Sequence, residues 1–567
     1  MNRFAELLDR VSYEPSRNGK LRLLAHYFRT TGDPDRGYAL AAITGTLNFA
    51  NAKPALIRGF IADRVDPVLF GLSYDYVGDL SETVALLWPA ATAPAEADPD
   101  RRNAPHNTLS DIVETLAATG KAQLPRTIAL LLDRLDEKGR WALLKLITGG
   151  LRIGVSARLA KTALASLRDC EVNEIEDIWP GLSPPYLPLF AWLDGHGERP
   201  ASDTAAQFRT PMLAHAIEDR DFAGLNPAEH VAEWKWDGIR VQAAAGTGAD
   251  GVRIARLYSR TGEDVSAAFP DLVDMLVDGR FGDAALDGEL LILREGRVQS
   301  FGVLQQRLNR KTVSAKLLVD YPAHIRAYDL LYENGEDLRQ LPFAERRQRL
   351  EVFVTRAASD RLDLSPQIPF ESWEALAAAR ADPRSAGAGE DAEAVEGVML
   401  KRSDSPYLPG RPKGQWWKWK RDPFILDAVL MYAQRGHGKR SSFYSDYTFG
   451  LWRKGSAGDE IVPVGKAYFG FTDEELKQLD RYVRDHTTNR FGPVREVAAT
   501  VDEGLVLEVA FEGVQRSTRH KSGVAMRFPR ISRIRWDKPS RDADRLETLE
   551  GLIAASAREG SGAEPGR

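Results

Sequence analysis

The chain has 567 residues, 43% hydrophobic and 28% charged, with a formal net charge of -5 at pH 7; that length predicts about three domains, and the composition is that of an ordinary soluble globular protein. The absence of any apolar run of about 18 residues argues against a membrane span, and the opening MNRFAELLDRVSYEPSRNGK has charges where a signal peptide needs an apolar stretch. A single cysteine, Cys170, excludes an intrachain disulfide and a cysteine-based metal cluster, and fits a reducing, cytoplasmic compartment.

Up to about residue 195 the apolar spacing predicts helices. LSDIVETLAATG and RTIALLLDRLDEKGRWALLKLITGG repeat apolar residues every three to four positions, with breaks at Gly and Pro. Polar stretches around 92–108 and 195–206 interrupt this region, and the second, GHGERPASDTAA, reads as a linker. In LLKLITGGLRIGVSARLAKTALA, Gly149, Gly150 and Gly154 would let backbone amides approach phosphates beside Arg152. A helix turn with no ligand would give the same string.

Beyond residue 206 the period changes to two. HVAEWKWDGIRVQAAA, VRIARLYSR and ALDGELLIL predict half-buried strands with helical pieces between them. This mixed α/β stretch runs to about Arg421 and contains RADPRSAGAGEDAEA, whose composition predicts a disordered insertion. From Pro423 the segments FILDAVLMYAQ, YTFGLWRK, EIVPVGKAYFG and LVLEVAFEG predict the short strands of a small barrel, with DEELKQLDRYVRDH as an inserted helix. One helix and a Gly/Ala/Glu tail follow Ser540. The expected organisation is therefore multidomain α and α+β: a helical domain over 1–200, a mixed α/β domain over 206–421, a β-barrel over 422–540, and a helix with a flexible tail over 541–567.

The charge is unevenly spread. Residues 401–460 hold twelve Lys/Arg against six Asp/Glu, and residues 510–540 hold eight against two. The C-terminal third could thus face phosphates despite the negative total, although a solvated basic face would give the same counts. GHGKRSSFY, with Lys439 and Arg440, is a Gly-rich basic loop suited to a phosphate backbone; a plain surface hairpin is the alternative.

EWKWDGIR, Glu233 to Arg240, is the sharpest chemical feature. Lys235 on a strand edge, followed by Asp237 and Gly238, would hold an amine beside a carboxylate at a tight turn, and Gly238 would let the backbone approach a ligand. A lysine attacks only when deprotonated, which neighbouring cations or desolvation favour. Alone the string is weak, because Lys-x-Asp-Gly also occurs in surface turns. Its company is more telling: RLYSRTGED with Arg260, LDGEL with Glu289, AYDLLY with Tyr328, EGVMLK with Glu396 and Lys401, WWKWK with Lys418 and Lys420, and MRFPRI with Arg527 and Arg530 follow in that order. The series resembles the motifs of the covalent lysyl-AMP nucleotidyltransferases, most closely the ATP-dependent DNA ligases, from about Glu233 to Arg530. No Gly-x-x-x-x-Gly-Lys-Ser/Thr string points to a P-loop ATPase.

The resemblance implies an all-helical DNA-binding domain, a mixed α/β nucleotidyltransferase (ATP-grasp-like ligase) domain and an OB-fold barrel. It implies that Lys235 attacks the α-phosphate of ATP, that Glu233 accepts a hydrogen bond from the adenine amino group, and that Tyr328 stacks on the base. Glu289 would bind ribose and, with Glu396, a Mg²⁺ (or Mn²⁺) ion, a cation that takes few carboxylates together with phosphate oxygens. Lys418 and Lys420, two apart on one strand face, would reach the α-phosphate, and the flanking Trp416, Trp417 and Trp419 read as packing residues that do not stack on a ligand. Arg240 and Arg260 would contact the nucleotide and the nick 5′-phosphate through their planar forks, and Arg527 and Arg530 would orient the leaving pyrophosphate. Arg152, Gly150, Arg260, Lys439 and Arg440 would touch DNA. The implied partners are ATP and nicked double-stranded DNA, with a monomer as the default and a cytoplasmic, nucleoid-associated location. No zinc-finger, BRCT-like or clamp-binding segment and no long N-terminal extension is evident, which points to a bacterial or archaeal type. An RNA ligase or an mRNA capping guanylyltransferase would share the lysyl core; the helical N-terminal region and SRTGED argue against capping. A non-catalytic DNA-binding scaffold with a decayed core is a further alternative, opposed by the presence of every expected catalytic side chain.

Overall fold

The computed structural model describes every residue except 48, 50–56, 58, 60, 62–63, 78, 90–107, 150, 201–205, 249, 309, 311, 436–442, 456–457, 469, 518–520 and 561–567. It divides into two compact units. One comprises Met1–Val172, Ser183–Arg199 and Pro423–Ala555; the other comprises Asn173–Leu182, Pro200–Asp422 and Ser556–Arg567.

Among the described residues of the first 200 the regular structure is helical, as the spacing predicts, with helices Asn2–Tyr13, Arg17–Thr30, Asp35–Thr44, Pro67–Val77, Leu80–Leu87, Leu109–Ala118, Leu124–Arg134, Glu137–Thr148, Ala157–Arg168, Val172–Ile178 and Leu187–Leu193. Leu109, Ile112, Val113 and Leu116 form the buried stripe of one of them. Its start is set by Thr108, which accepts from the Asp111 N–H while Asp111 returns the bond, a capping box. The long run RTIALLLDRLDEKGRWALLKLITGG is two helices. They part at Leu135–Asp136, where Asp136 caps the second by accepting from the Gly139 N–H. Most of the polar stretch around 92–108 lies outside the described residues. Among those described, no helix is long and apolar enough to cross a membrane.

The central unit is built on two sheets. The five-stranded sheet has the order β1 (His215–Ala216), β12 (Trp416–Lys420), β11 (Val395–Arg402), β2 (His230–Trp236), β10 (Gln367–Ile368). The seven-stranded sheet runs β4 (Arg253–Ser259), β3 (Ile239–Thr247), β5 (Ala284–Arg294), β7 (Ala323–Glu333), β8 (Glu336–Asp337), with β6 (Arg297–Val298) on β5 and β9 (Leu362–Leu364) parallel to β7. Val241, Leu257, Leu286, Leu290 and Ile325 alternate into its core, against Leu272 of the Pro270–Val277 helix and Leu350 and Phe353 of the Phe343–Ala357 helix. The two-residue turn Asp237–Gly238 carries the chain from β2 in one sheet to β3 in the other. A Cβ at Gly238 would lie 2.5 Å from the Leu290 carbonyl oxygen, so only glycine fits there.

The disordered insertion expected over 380–394 is instead ordered. Ala388, Ala392 and Ala394 are buried against the tryptophan side of the five-stranded sheet. Asp391 accepts from the Val298 N–H at 2.9 Å and from Arg326 Nη1 at 3.0 Å. A composition rich in Gly, Ala and acids hid the fact that small side chains fill space beside tryptophans.

The C-terminal part is a curled antiparallel sheet, consistent with an OB fold. Its order is β15 (Gly458–Ala467), β14 (Tyr444–Gly455), β13 (Phe424–Arg435), β17 (Val494–Val497), β16 (Thr487–Phe491), and β18 (Val506–Phe511) joins β13 to β21 (Arg530–Arg535). A hairpin of β19 (Gly513–Arg516) and β20 (Val524–Arg527) precedes β21. Leu426, Leu430, Phe449, Leu451, Val464, Leu507 and Val509 fill the inside of the curl. The expected inserted helix is Asp473–Asp485, with its own capping box at Thr472 and Glu475 and with Leu479 and Val483 in the same core. The helix Leu546–Gly560 adds Leu546 and Leu549 to that core.

Candidate active site

Strand pairing sets key side chains in rows across β2, β11 and β12. Lys235 is opposite Gly397, which is opposite Lys420. Glu233 aligns with Met399 and Lys418, and Val231 aligns with Lys401 and Trp416. Because side chains alternate along a strand, these nine share one face, and Ala232, Trp234, Val398, Leu400 and Trp417 form a core on the other, with Trp419 packed against it. The tryptophans beside the lysines at 417 and 419 are packing residues, as expected.

Between Val395 and Gly397 the register slips by one residue, a β-bulge. Glu396 is the additional residue, and the bulge turns its carboxylate onto the lysine face. Its Oε1 accepts from Lys235 Nζ at 2.7 Å, and its Oε2 lies 3.4 Å from Lys420 Nζ. Burial alone would raise the Glu396 pKa, but Lys235 and Lys420 outweigh it and hold it below the ordinary carboxylate value. Gly397 has φ +144°, and a Cβ there would meet the Trp419 carbonyl oxygen at 2.3 Å. The acid hydrogen-bonded to the Lys235 amine is therefore Glu396, 161 residues away, and not the Asp237 that the Lys-x-Asp-Gly spacing put beside it. Asp237 gives its backbone N–H to the Ala394 oxygen at 2.7 Å.

Around this pair the field is mostly positive. Burial, then Lys420, Lys235, Arg411 and Arg260, all lower the Lys418 pKa. Arg260, just after β4, has its pKa lowered by partial desolvation of its guanidinium and by Arg240 and Arg411. Arg411 was missed in the sequence, because a single arginine in the loop SPYLPGRPKGQ carries no periodic signal. Glu289, opposite Arg240 on β5, is pushed up to about 8 by burial; Lys235 pulls it down and Glu396 pushes it up.

Where the row of Val231, Lys401 and Trp416 ends the face, it is closed. Glu233 is 2% exposed, so it is no surface carboxylate. Its two oxygens meet Lys401 Nζ at 2.7 Å and Arg347 Nη1 at 3.2 Å. Lys401 also donates to the Tyr328 carbonyl oxygen at 3.2 Å and sits 4.8 Å from the centre of the Tyr328 ring. Arg347, on the Phe343–Ala357 helix, was not legible in FAERRQRLEVF, where it reads as one of several helix charges. Arg240 is anchored to Asp287 at 2.6 Å, to the Met212 carbonyl oxygen at 2.6 Å and to the Tyr407 hydroxyl at 3.0 Å. Burial opposes its charge, but Asp287, Tyr328 and Tyr407 raise its pKa well above the usual value. Asp287, in LDGEL, is fully buried and also accepts from Gln242 Nε2 at 3.1 Å.

Lys235, Glu233, Arg240, Arg260, Glu289, Tyr328, Glu396, Lys418 and Lys420 are thus gathered in the central unit. Arg527 and Arg530 belong to the C-terminal sheet, at the end of β20 and the start of β21, flanking Phe528, which has φ +49°. Arg152, exposed with φ +47°, lies in the turn before the Ala157–Arg168 helix. Gly149 (φ +69°) ends the preceding helix, and Lys20 Nζ donates to the carbonyl oxygens of Ile153 at 2.7 Å and Gly154 at 3.1 Å. Gly150, Lys439 and Arg440 lie outside the described residues. Among the described residues no group of three or more His, Cys, Asp or Glu forms a ready metal cage.

The family described as "ATP dependent DNA ligase domain" matches residues 211–420, and "ATP dependent DNA ligase C terminal region" matches residues 440–538. The protein named "Probable DNA ligase" of Koribacter versatilis is 32% identical over 97% of this chain and 96% of its own length. DNA ligase 1 of Korarchaeum cryptofilum is 28% identical over 98% of this chain and 99% of its own. The fold is similar to that of the solved structure Pmar-Lig_PreS3, at a TM-score of 0.55 and 14% identity, over 94% of this chain and 99% of that one. With both family regions matched in order and a relative aligned almost end to end, the chain belongs to the ATP-dependent DNA ligases.

Proposed function

We propose that this chain seals nicks in duplex DNA by three in-line phosphoryl transfers. Lys235 attacks the α-phosphorus of ATP; a phosphorus–nitrogen bond forms, the bond to the bridging oxygen breaks, and pyrophosphate leaves. The AMP then passes to the 5′-phosphate at a nick, freeing Lys235. Finally the adjacent 3′-hydroxyl attacks the phosphorus of that DNA 5′-phosphate, the anhydride bond to AMP breaks, and AMP leaves, closing the backbone. Such chemistry depends chiefly on positioning and charge neutralisation. The observation that carries the reading is the Lys235–Glu396 pair at 2.7 Å set among Lys418, Lys420, Arg260 and Arg411.

In this reading Glu396 orients the Lys235 amine by accepting its hydrogen bond, and the proton that the amine loses as the phosphorus–nitrogen bond forms passes to solvent. Lys418 and Lys420 neutralise the α-phosphate as charge grows on its oxygens. Glu233 accepts from the adenine amino group, Tyr328 stacks on the base, and Glu289 takes a ribose hydroxyl. Arg240 and Arg260 hold the nucleotide and the nick 5′-phosphate. Glu396 and Glu289 fit a Mg²⁺ (or Mn²⁺) ion: burial and the Glu396 charge raise the proton affinity of Glu289, a conflict that a divalent cation relieves. Such an ion, when bound, supplies charge neutralisation to the phosphates. Arg527 and Arg530 orient the pyrophosphate in the first step and withdraw afterwards as the C-terminal domain moves. Arg152 with Gly150, and Lys439 with Arg440, lie along the duplex backbone. The domains follow the division 1–200, 206–421, 422–540 and 541–567, and the protein works as a monomer.

The test is sealing of a nicked duplex with ATP, NAD or GTP supplied separately, with intact-mass analysis of the protein after each. Sealing and a lysyl-AMP adduct on Lys235 with ATP alone is the expected result. A GTP-only adduct would replace this reading with a capping-type enzyme.

A further inference from the structure

At the closed end of the lysine face the charges are matched and shut in. Each oxygen of Glu233 has a cation: Lys401 Nζ at 2.7 Å and Arg347 Nη1 at 3.2 Å. Lys401, 1% exposed, is enclosed by rings, with its ammonium 4.5 Å from the centre of Phe343 and 4.8 Å from the centres of Tyr328 and Trp416. Ring faces stabilise a cation there with no water to compete. Arg347 is fixed as well, donating to the Ser365 carbonyl oxygen at 2.9 Å and to Glu351 at 2.9 Å. The cations paired with Glu396 are instead Lys235 and Lys420, so its phosphate chemistry does not call for Lys401 or Arg347.

An ionised carboxylate only accepts hydrogen bonds, whereas a protonated one also donates. A buried carboxylate stripped of its cations takes up a proton, because burial penalises the charged form. We infer that Lys401 and Arg347 are positioning residues that set nucleobase selectivity: by pairing with both of its oxygens they fix Glu233 as an acceptor, so that it takes a 6-amino group on a purine and rejects a 6-carbonyl. This rests on Glu233 as the acceptor for the adenine amino group. The Tyr328 ring, on which the base would stack, lies against the same Lys401 ammonium, so the carboxylate stands beside that platform. A carbonyl facing the carboxylate would put two acceptors together with no proton between them, and a polar mismatch of this kind supports large discrimination.

The experiment compares labelling of the full-length protein by α-labelled ATP and by inosine triphosphate, which carries a carbonyl at the purine 6-position. Lys401→Met and Arg347→Gln should each lower the ATP-to-ITP ratio of adduct formation by at least about tenfold, mainly through a higher KM for ATP, because an unmet polar contact is worth orders of magnitude in selectivity. Arg347→Lys should recover most of the ratio. A merely structural role lowers both rates together and leaves the ratio unchanged, which would overturn the inference. Glu233→Gln separates the two levels. If it leaves the ratio unchanged, Glu233 does not read the base and the underlying reading fails. If it changes the ratio while Lys401→Met and Arg347→Gln do not, only the clamp fails. Should Lys401→Met lack a cooperative thermal transition, Arg347→Gln against Arg347→Lys decides the matter.

Discussion

The two ends of the lysine face use the same three strands for opposite electrostatic purposes. At the closed end Lys401 is matched by Glu233 and boxed by aromatic rings, so its charge is cancelled locally. At the open end Lys235, Lys418, Lys420, Arg260 and Arg411 gather around Glu396, and the excess is positive. The contrast teaches where each part of a nucleotide belongs. A neutral base with a fixed donor pattern suits a charge-balanced slot, and a triphosphate suits a surplus of cations.

Substitutions at the open end should break this contrast most severely. Lys235→Arg keeps the positive charge but removes the nucleophile, because a guanidinium does not lose its proton near neutral pH. Adduct formation should vanish, as read by intact mass; normal labelling would remove Lys235 from its role. Glu396→Ala frees the amine from its orienting acid, and the rate of adduct formation should fall by about 10²–10³-fold, the size seen when one preorganised charge interaction is lost. Lys418→Ala should cost about 10²-fold in the same single-turnover assay, since it removes one of several cations. Arg411→Ala, at the exposed rim, should cost about tenfold at low salt and less at high salt, because exposed charges are screened. An Arg411 effect equal to that of Lys418 would mean that the rim and the strand face are equivalent. Gly397→Ala tests the geometry instead. Forcing a Cβ against the Trp419 carbonyl oxygen should destabilise the protein by about 1–3 kcal/mol in denaturant unfolding.

What the sequence disclosed, and what it hid, follows the same division. Period-two alternation in WWKWK is enough to put Lys418 and Lys420 on one face with Trp417 and Trp419 behind, and in WKW to put Lys235 opposite its two flanking tryptophans. Strand and helix segments of the C-terminal sheet were legible for the same reason. Glu396 is legible as a site residue in EGVMLK, but its contact with Lys235 is not, because it arrives from a strand 161 residues away through a local irregularity. Arg347 was hidden by its helix, where a buried arginine and a solvated one have the same pattern. The 380–394 segment misled by composition, since alanines beside glycines look like a linker until the tryptophans they cover are known.

The irregularity at Glu396 has a consequence for transplanting the site. Val395 and Val398 both pack on the tryptophan side although they differ in parity, while Glu396, Gly397 and Met399 all belong to the lysine side. An engineer who copied the side chains onto a regular strand would deliver the acid into hydrocarbon and leave the lysine facing a void. The offset in the backbone, rather than the identity of any residue, is the inheritable part of the design.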